Sequence, residues 1–366
     1  MSSFLLIIAW VCLVLMLSTV LNTEREEIVL GEKKRRVTPF IAFVVILPVI
    51  LMAANRSLYL FDTGAYHDQF YATPNTFSEF VDFFPSIEKD HGFSVLMYLT
   101  KVLPGGDHSM FFLIVAMAQG LCIFYVYRKY SDHYLWCIFL FVVSTDAVAW
   151  MHNGIRQFLA VTLIFLGTGL LLKKRYVPLI FLILFASLFH QSALIMIPII
   201  FVVQGKAWNK RTMLFIVGIL FAVFFVDQFT DLLDSALEET QYSNVVNDWQ
   251  EFQDDGTNPI RVLVYSVPTI IAFFARKHIA AEENVLLNIC VNMSIVSTGL
   301  YVLSMVTSGI MIGRLPIFTS LFNYILLPWE LDLILEKNSV RLGRLLMAGF
   351  YLLFYFYQMR YAWGLI

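Results

Sequence analysis

The sequence predicts an all-α, polytopic transmembrane helix bundle. It should have about 10 full spans plus a short re-entrant or half-helix hairpin, with amphipathic surface helices outside. Three observations carry that expectation. Only 14% of the 366 residues are charged, 59% are hydrophobic and 16% aromatic, and the mean hydropathy is +0.74. Soluble domains carry about 25% charged and about 45–50% apolar residues. The apolar excess comes in blocks of roughly 16–20 residues, the length a helix needs to cross hydrocarbon. Those blocks are apolar all round rather than alternating, which excludes a β-barrel.

Spans are expected near 3–21, 38–54, 108–127, 134–150, 158–172, 212–227, 260–275, 285–306, 314–328 and 345–361. The first block lacks a basic n-region and a small-residue cleavage site, so it reads as a retained span rather than a signal peptide. Pro48, Gly167, Gly169 and Pro268 fall inside blocks, where membrane helices tolerate them. Cys12, Cys122, Cys137 and Cys290 also lie inside apolar blocks. They read as small buried hydrophobes, not as a disulfide framework or metal site. The whole of 1–366 is expected to form a single integral membrane domain.

Orientation follows from the basic loops. Eighteen of the 25 Lys and Arg gather around 25–36, 128–129, 173–175, 206–211, 276–277 and 337–344, which makes those loops cytoplasmic and both termini external. The stretch Tyr176–Val203 joins two cytoplasmic clusters, so it crosses an even number of times. Its 28 residues are too few for two spans of about 20 each. A pair of short helices or a re-entrant hairpin is expected, with His190 and Gln191 at the tip beside a protein-lined cavity. Two long extracytoplasmic loops remain, 55–107 and 227–259. The first has an amphipathic portion (Phe77, Phe80, Val81, Phe84). The second has nine acids and no Lys or Arg, with a stripe of Phe229, Leu232, Leu233, Ala236 and Leu237 that would lie on the membrane as a cover. Net charge of −2, segregated by loop, gives no nucleic-acid surface.

Four polar constellations fall on the external side. Arg56 ends the second span, with Asp62–Thr63–Gly64 and Tyr66 just after it. Arginine there is placed to grip a phosphate with its planar fork of donors; the bland alternative is a snorkelling arginine beside an Asx turn. His152–Gln157 fills a tight connection, and Arg156 adds its charge to a helix N-terminus. No anion in the immediate sequence cancels it, Asp146 being ten residues back; a solvated loop charge is the alternative. His190–Gln191–Ser192 interrupts an apolar run at membrane depth, where ionisable groups are costly and functional by default, though a hydrogen-bonded structural histidine is also compatible. Arg314 follows Ser308–Gly313, and by itself reads as a helix-end anchor. There is no HExxH, phosphate loop, Cys/His metal spacing, GxSxG elbow or EF-hand. The acidic loop reads as a solvated face.

In order along the chain, Arg56…Asp62-Thr63…Tyr66, His91-Gly92-Phe93 and Ile155-Arg156-Gln157-Phe158-Leu159-Ala160 are followed by His190-Gln191-Ser192-Ala193-Leu194-Ile195…Pro198 and Gly313-Arg314…Tyr324…Pro328. This set resembles the EpsG family, which groups with Wzy-type polymerases of bacterial O-antigen, capsule and exopolysaccharide. One departure is Phe61-Asp62-Thr63-Gly64, where the family pattern has glycine just before Thr-Asp.

The resemblance implies a metal-independent membrane glycosyltransferase without cofactor, in the bacterial inner membrane. It would join undecaprenyl-diphosphate-linked oligosaccharide units on the extracytoplasmic face. Arg56, Arg156 and Arg314 would clamp the diphosphate and stabilise charge as the glycosidic bond breaks. His190 would act as base, imidazole having an unperturbed pKa of about 6.5, with Asp62 as substitute. Tyr66 and Gln157 would position sugar. Expected partners are the lipid-linked oligosaccharide, membrane lipid, and a chain-length regulator or flippase. A flippase is the main alternative, but it would distribute polar residues through the membrane depth. A glycan ligase would use the same clamp, and a non-catalytic scaffold would need none of these arginines.

Overall fold

The computed structural model describes residues 2–18, 23–29, 31–237 and 256–364. The first basic loop is not plain coil, which departs from an all-α chain. After α1 (Ser2–Ser18), β1 (Glu24–Val29) and β2 (Glu32–Val37) form an antiparallel hairpin. Cross-strand pairing sets Glu26 opposite Arg35 and Glu27 opposite Lys34, so opposite charges face each other. Arg36 is buried, and reaches the Asp132 carboxylate and the Lys129 carbonyl.

The remaining chain is helical. α2 (Pro39–Ala54) starts on proline, tolerated where no N–H is needed. α3 (Thr63–Ala72), α4 (Phe77–Phe83) and α5 (His91–Val102) occupy the 55–107 region, α4 closed by a Thr76/Glu79 capping box. Then follow α6 (His108–Tyr130), α7 (Tyr134–Val143), α8 (Asp146–Trp150), α9 (Ile155–Leu166), α10 (Thr168–Leu172) and α11 (Tyr176–Ser187). After them come α12 (Met196–Val202), α13 (Lys210–Phe224), α14 (Val226–Leu237), α15 (Pro259–Phe274) and α16 (Arg276–Ala281). The last are α17 (Val285–Met305), α18 (Ile317–Ser320), α19 (Asn323–Ile334) and α20 (Lys337–Tyr357).

Among the described residues, three helices are long and apolar enough to cross a membrane alone: α6, α17 and 337–362. The number rises to five if the bent pairs at 210–236 and 312–334 each count as one span. Several expected spans are instead broken. The 134–150 block is cut at Ser144–Thr145, where Thr145 takes φ 65°. The 158–172 block is cut at Gly167, pressed by the Leu179 and Leu182 side chains. The 176–203 stretch does form two short helices, α11 and α12, with His190 and Gln191 at the break. Large apolar side chains stay exposed along α13 and α20, among them Leu214, Phe221, Leu345 and Leu353, as lipid-facing surfaces require.

Two compact units emerge: residues 1–194 with 337–366, and residues 195–336. In unit 1, α2 packs along α6, where Gly120 sits directly against Ile50. At the far end of these helices from the hairpin, Tyr66, Phe70, Phe93, Phe111, Phe112 and Ile155 join α3, α5, α6 and α9 in one buried cluster. Lys101 donates to the Phe70, Tyr71 and Thr73 carbonyls, closing the C-terminal end of α3 with a cation. Cys122, Cys137 and Cys290 are buried and, like Cys12, unbridged.

In unit 2, α17 is almost wholly buried. Polar side chains bind it to its neighbours: Asn292 donates to the Val203 carbonyl at 2.9 Å, and Thr269 bonds Ser294 and Thr298 at 2.7 Å each. α14 turns 105° from α13. Its Phe229 and Leu233 pack on Ala222, Leu303 and Ile312, so part of the expected membrane-facing stripe covers protein, while Leu232 remains exposed. Six of the nine acids (Glu238, Glu239, Asp248, Glu251, Asp254 and Asp255) lie outside the described residues.

Gly120→Val would drive a side chain into Ile50 at the α2–α6 contact. We expect a loss of about 1–3 kcal/mol, read as a lower midpoint in thermal unfolding of the purified protein in detergent, with Gly218→Val, which meets nothing within 4 Å, as the neutral control.

Candidate functional site

The polar end of unit 1 is assembled from four chain segments: the α2–α3 connection, the start of α5, the α8–α9 turn, and the break after α11. Each brings one part of a charged network.

Arg56 follows the last turn of α2 and is buried rather than snorkelling. Its Nε donates to the Ala53 carbonyl at 2.6 Å and its Nη1 to the His152 carbonyl at 3.5 Å. The guanidinium lies 4.8 Å over the Phe112 ring. Nη2 is buried without a hydrogen-bond partner among the described residues. Burial lowers its pKa to about 10, opposed by the nearby Asp62 and Tyr66, so it stays cationic at neutral pH.

Asp62 does not form the Asx turn that its sequence context allows. It precedes α3 without capping it, and its Oδ2 accepts the Gly154 N–H at 2.9 Å. Its Oδ1 is buried without a partner among the described residues. Burial raises the Asp62 pKa, held back by the Gly154 N–H and Arg56. Gly154 has φ 65°, and a Cβ there would meet the Trp150 ring at 2.8 Å. Glycine is therefore required both for the backbone and for space.

Arg156, in the first turn of α9, is the centre of the network. Its Nη1 meets Asp90 Oδ2 at 2.9 Å, and its guanidinium sits 5.6 Å over the Tyr66 ring. No anion lies in the immediate sequence, and the counter-ion comes instead from the start of α5, far back in the chain. The Asp90 side chain is only 4% exposed, and it also accepts the Gln191 backbone N–H. Burial lifts its pKa, with Arg156 opposing. Gly92 N–H donates to the Leu188 carbonyl at 2.8 Å, and a Cβ on Gly92 would collide with Leu188. The tip that carries His190 is thus docked on the start of α5. Tyr66, buried, faces Asp62 and Arg156, and burial pushes its hydroxyl up to about 12.

His190 is half-buried, and its Nδ1 pairs with Ser192 Oγ at 2.7 Å. The Ser192 hydroxyl in turn accepts Gln157 Nε2 at 3.3 Å. A second histidine, His152, is fully buried, with its Nδ1–H donating to the Val148 carbonyl at 2.9 Å. Burial and Arg56 depress its pKa to about 3, so it is a neutral imidazole.

The structure therefore joins Arg56, Asp62, Tyr66, Arg156, Gln157 and His190 within one unit. Arg314 belongs to unit 2. It ends a short 3₁₀ turn (Ile312–Arg314) in which the Gly313 N–H donates to the Ser308 carbonyl at 2.9 Å. Sequence reasoning missed Asp90 as the partner of Arg156, although it directly precedes the His91-Gly92-Phe93 element and its φ of 57° marks an unusual backbone. Among the described residues, no group of three or more His, Cys, Asp or Glu is gathered as metal ligands.

The EpsG family's sequence profile matches residues 40–364. The chain belongs to the EpsG family. The match runs from the start of α2 almost to the C-terminus and includes every residue of the network. No match was found among curated proteins or among solved structures. Membership of EpsG suggests polysaccharide polymerisation at a membrane, with a lipid-linked sugar as substrate class.

Two outcomes test the electrostatics. Asp90→Ala leaves Arg156 uncompensated and should cost about 3–5 kcal/mol. Arg156→Ala added to it should cost less than the sum of the single changes, measured by denaturant unfolding in detergent. For His152, the native pKa of about 3 lies below the ordinary 6.5. Its contribution to stability is therefore full above pH 6.5 and lost as pH falls through that window. His152→Gln should flatten the drop in thermal midpoint between neutral pH and pH 4 relative to the parent.

Proposed function

We propose that this EpsG-family protein joins undecaprenyl-diphosphate-linked oligosaccharide repeat units on the extracytoplasmic face of the bacterial inner membrane, which it crosses about ten times. One observation carries this reading: two arginines, two carboxylates and a histidine from distant segments meet at the end of unit 1 away from the basic hairpin. By the charge bias of the loops, that end is extracytoplasmic.

In the proposed reaction the acceptor sugar hydroxyl attacks the anomeric carbon of the donor glycan. The bond from that carbon to the diphosphate oxygen breaks, and the electron pair leaves with the lipid diphosphate. Negative charge grows on the leaving group, and Arg56 and Arg156 stabilise it. No general acid is needed, because the diphosphate leaves as an anion. The hydroxyl proton goes to His190, whose ring the Ser192 hydroxyl orients through Nδ1. Asp62 is the second candidate base, since burial raises its pKa. Tyr66 and Gln157 position sugar, and Asp90 holds Arg156 in place.

Reconstitution with a purified lipid-linked repeat unit tests this directly. Dimers and longer products should appear on gels, and chelator should leave them unchanged. Arg56→Ala should lower the rate about 10²–10³-fold and His190→Ala about 10²-fold, at normal protein level. Full-length ladders from either variant would remove that residue from the mechanism. Absence of any product from active membranes, with transport of the lipid-linked unit retained, would favour a flippase.

A further inference from the structure

At the basic end of unit 1, away from the network above, a cavity of about 500 Å³ opens between the β1–β2 turn and the α10–α11 turn. Lys129, Lys173 and Arg175 line it. Among the described residues none of the three is in an ion pair, because the nearby acids are engaged elsewhere: Glu27 with Arg25 and Arg128, and Glu32 with Lys34. Lys129 donates to the Tyr125 hydroxyl at 2.5 Å and lies over the Tyr125 and Tyr130 rings. An ammonium has three donors, so this bond fixes its position without exhausting it. Leu166 and Leu170 form an apolar wall at the helix ends, and Ile28, 77% exposed, lines the hairpin side. Lys174, between the two lining cations, takes φ 54° and does not line the cavity.

We propose that this cavity is a binding site for the headgroup of an anionic phospholipid. Three cations without ion pairs around a hollow next to the partly exposed Leu166 and Leu170 match a phosphate joined to acyl chains better than a free anion, which has no use for the apolar wall. A bound headgroup would bridge the β-hairpin to the α10–α11 turn. The inference is independent of the proposed polymerase chemistry.

The test uses the full chain in nanodiscs and detergent, with native mass spectrometry counting retained lipids. The parent should retain phosphatidylglycerol at least tenfold more tightly than phosphatidylcholine. The Lys129→Gln/Lys173→Gln/Arg175→Gln variant should lose that preference, while Lys174→Gln keeps it. Equal retention of both lipids by the parent would overturn the site, as would an equal loss with Lys174→Gln, which would mean general surface charge. Displacement of the lipid by millimolar inorganic phosphate would overturn the lipid assignment in favour of a free-anion site.

Discussion

The polar end of unit 1 depends on one buried carboxylate. Asp90 accepts the Arg156 guanidinium and the Gln191 backbone N–H, so the start of α5, the start of α9 and the His190 tip share one anchor. A buried charge is costly unless it is paired and hydrogen-bonded, and this requirement pulls three segments together. Asp62 does the same for the α2–α3 connection, reaching the Gly154 N–H and the field of Arg56. With one ion pair and a second carboxylate in the field of Arg56, the cluster is mixed in charge rather than simply cationic. Arg156 is held by the Asp90 carboxylate and Arg56 by the Ala53 and His152 carbonyls, so both guanidinium groups are fixed in place by the fold.

Irregular backbone is the means of building such a cluster. Phe61, Asp90 and Gly154 all have left-handed φ values, and each adjoins or supplies a partner of the network. Only glycine adopts that conformation without steric cost. For Phe61 and Asp90 the cost is met by surrounding contacts: Phe61 stacks edge-on against Trp363 at 5.0 Å, and Asp90 has its ion pair. Beneath them the aromatic cluster of Tyr66, Phe93, Phe111 and Phe112 gives a rigid floor on which both arginines rest through cation–π contacts. Packing of this kind carries much of helix association where lipid removes the hydrophobic drive.

The two ends of unit 1 differ in how charge is handled. At the polar end cations and carboxylates lie together, with Arg156 and Asp90 in an ion pair. At the basic end the hairpin consumes its own acids, and Lys129, Lys173 and Arg175 are left facing a hollow. A membrane-embedded chain can hold matched charge inside protein, and it can present unmatched cations only where headgroups or water meet them.

Composition and block length were enough to determine the membrane class, and the motif order from Arg56 to Arg314 was enough to indicate the family. Charge bias in the flanking loops and the length of 176–203 indicated the break at His190, while apolar periodicity reports only a residue's average surroundings. It is blind to partners. That Asp62 would bond Gly154 rather than cap its own helix, and that Asp90 would neutralise Arg156, followed from contacts between residues many tens of positions apart, which no local pattern encodes. Nor could hydropathy divide the 134–150 and 158–172 blocks, because Thr145 and Gly167 are tolerated in continuous spans and break them here through backbone geometry and the pressure of neighbouring side chains. The basic segment at 24–37 read as a loop because its strand pairing depends on cross-strand charge register, which only the folded hairpin supplies.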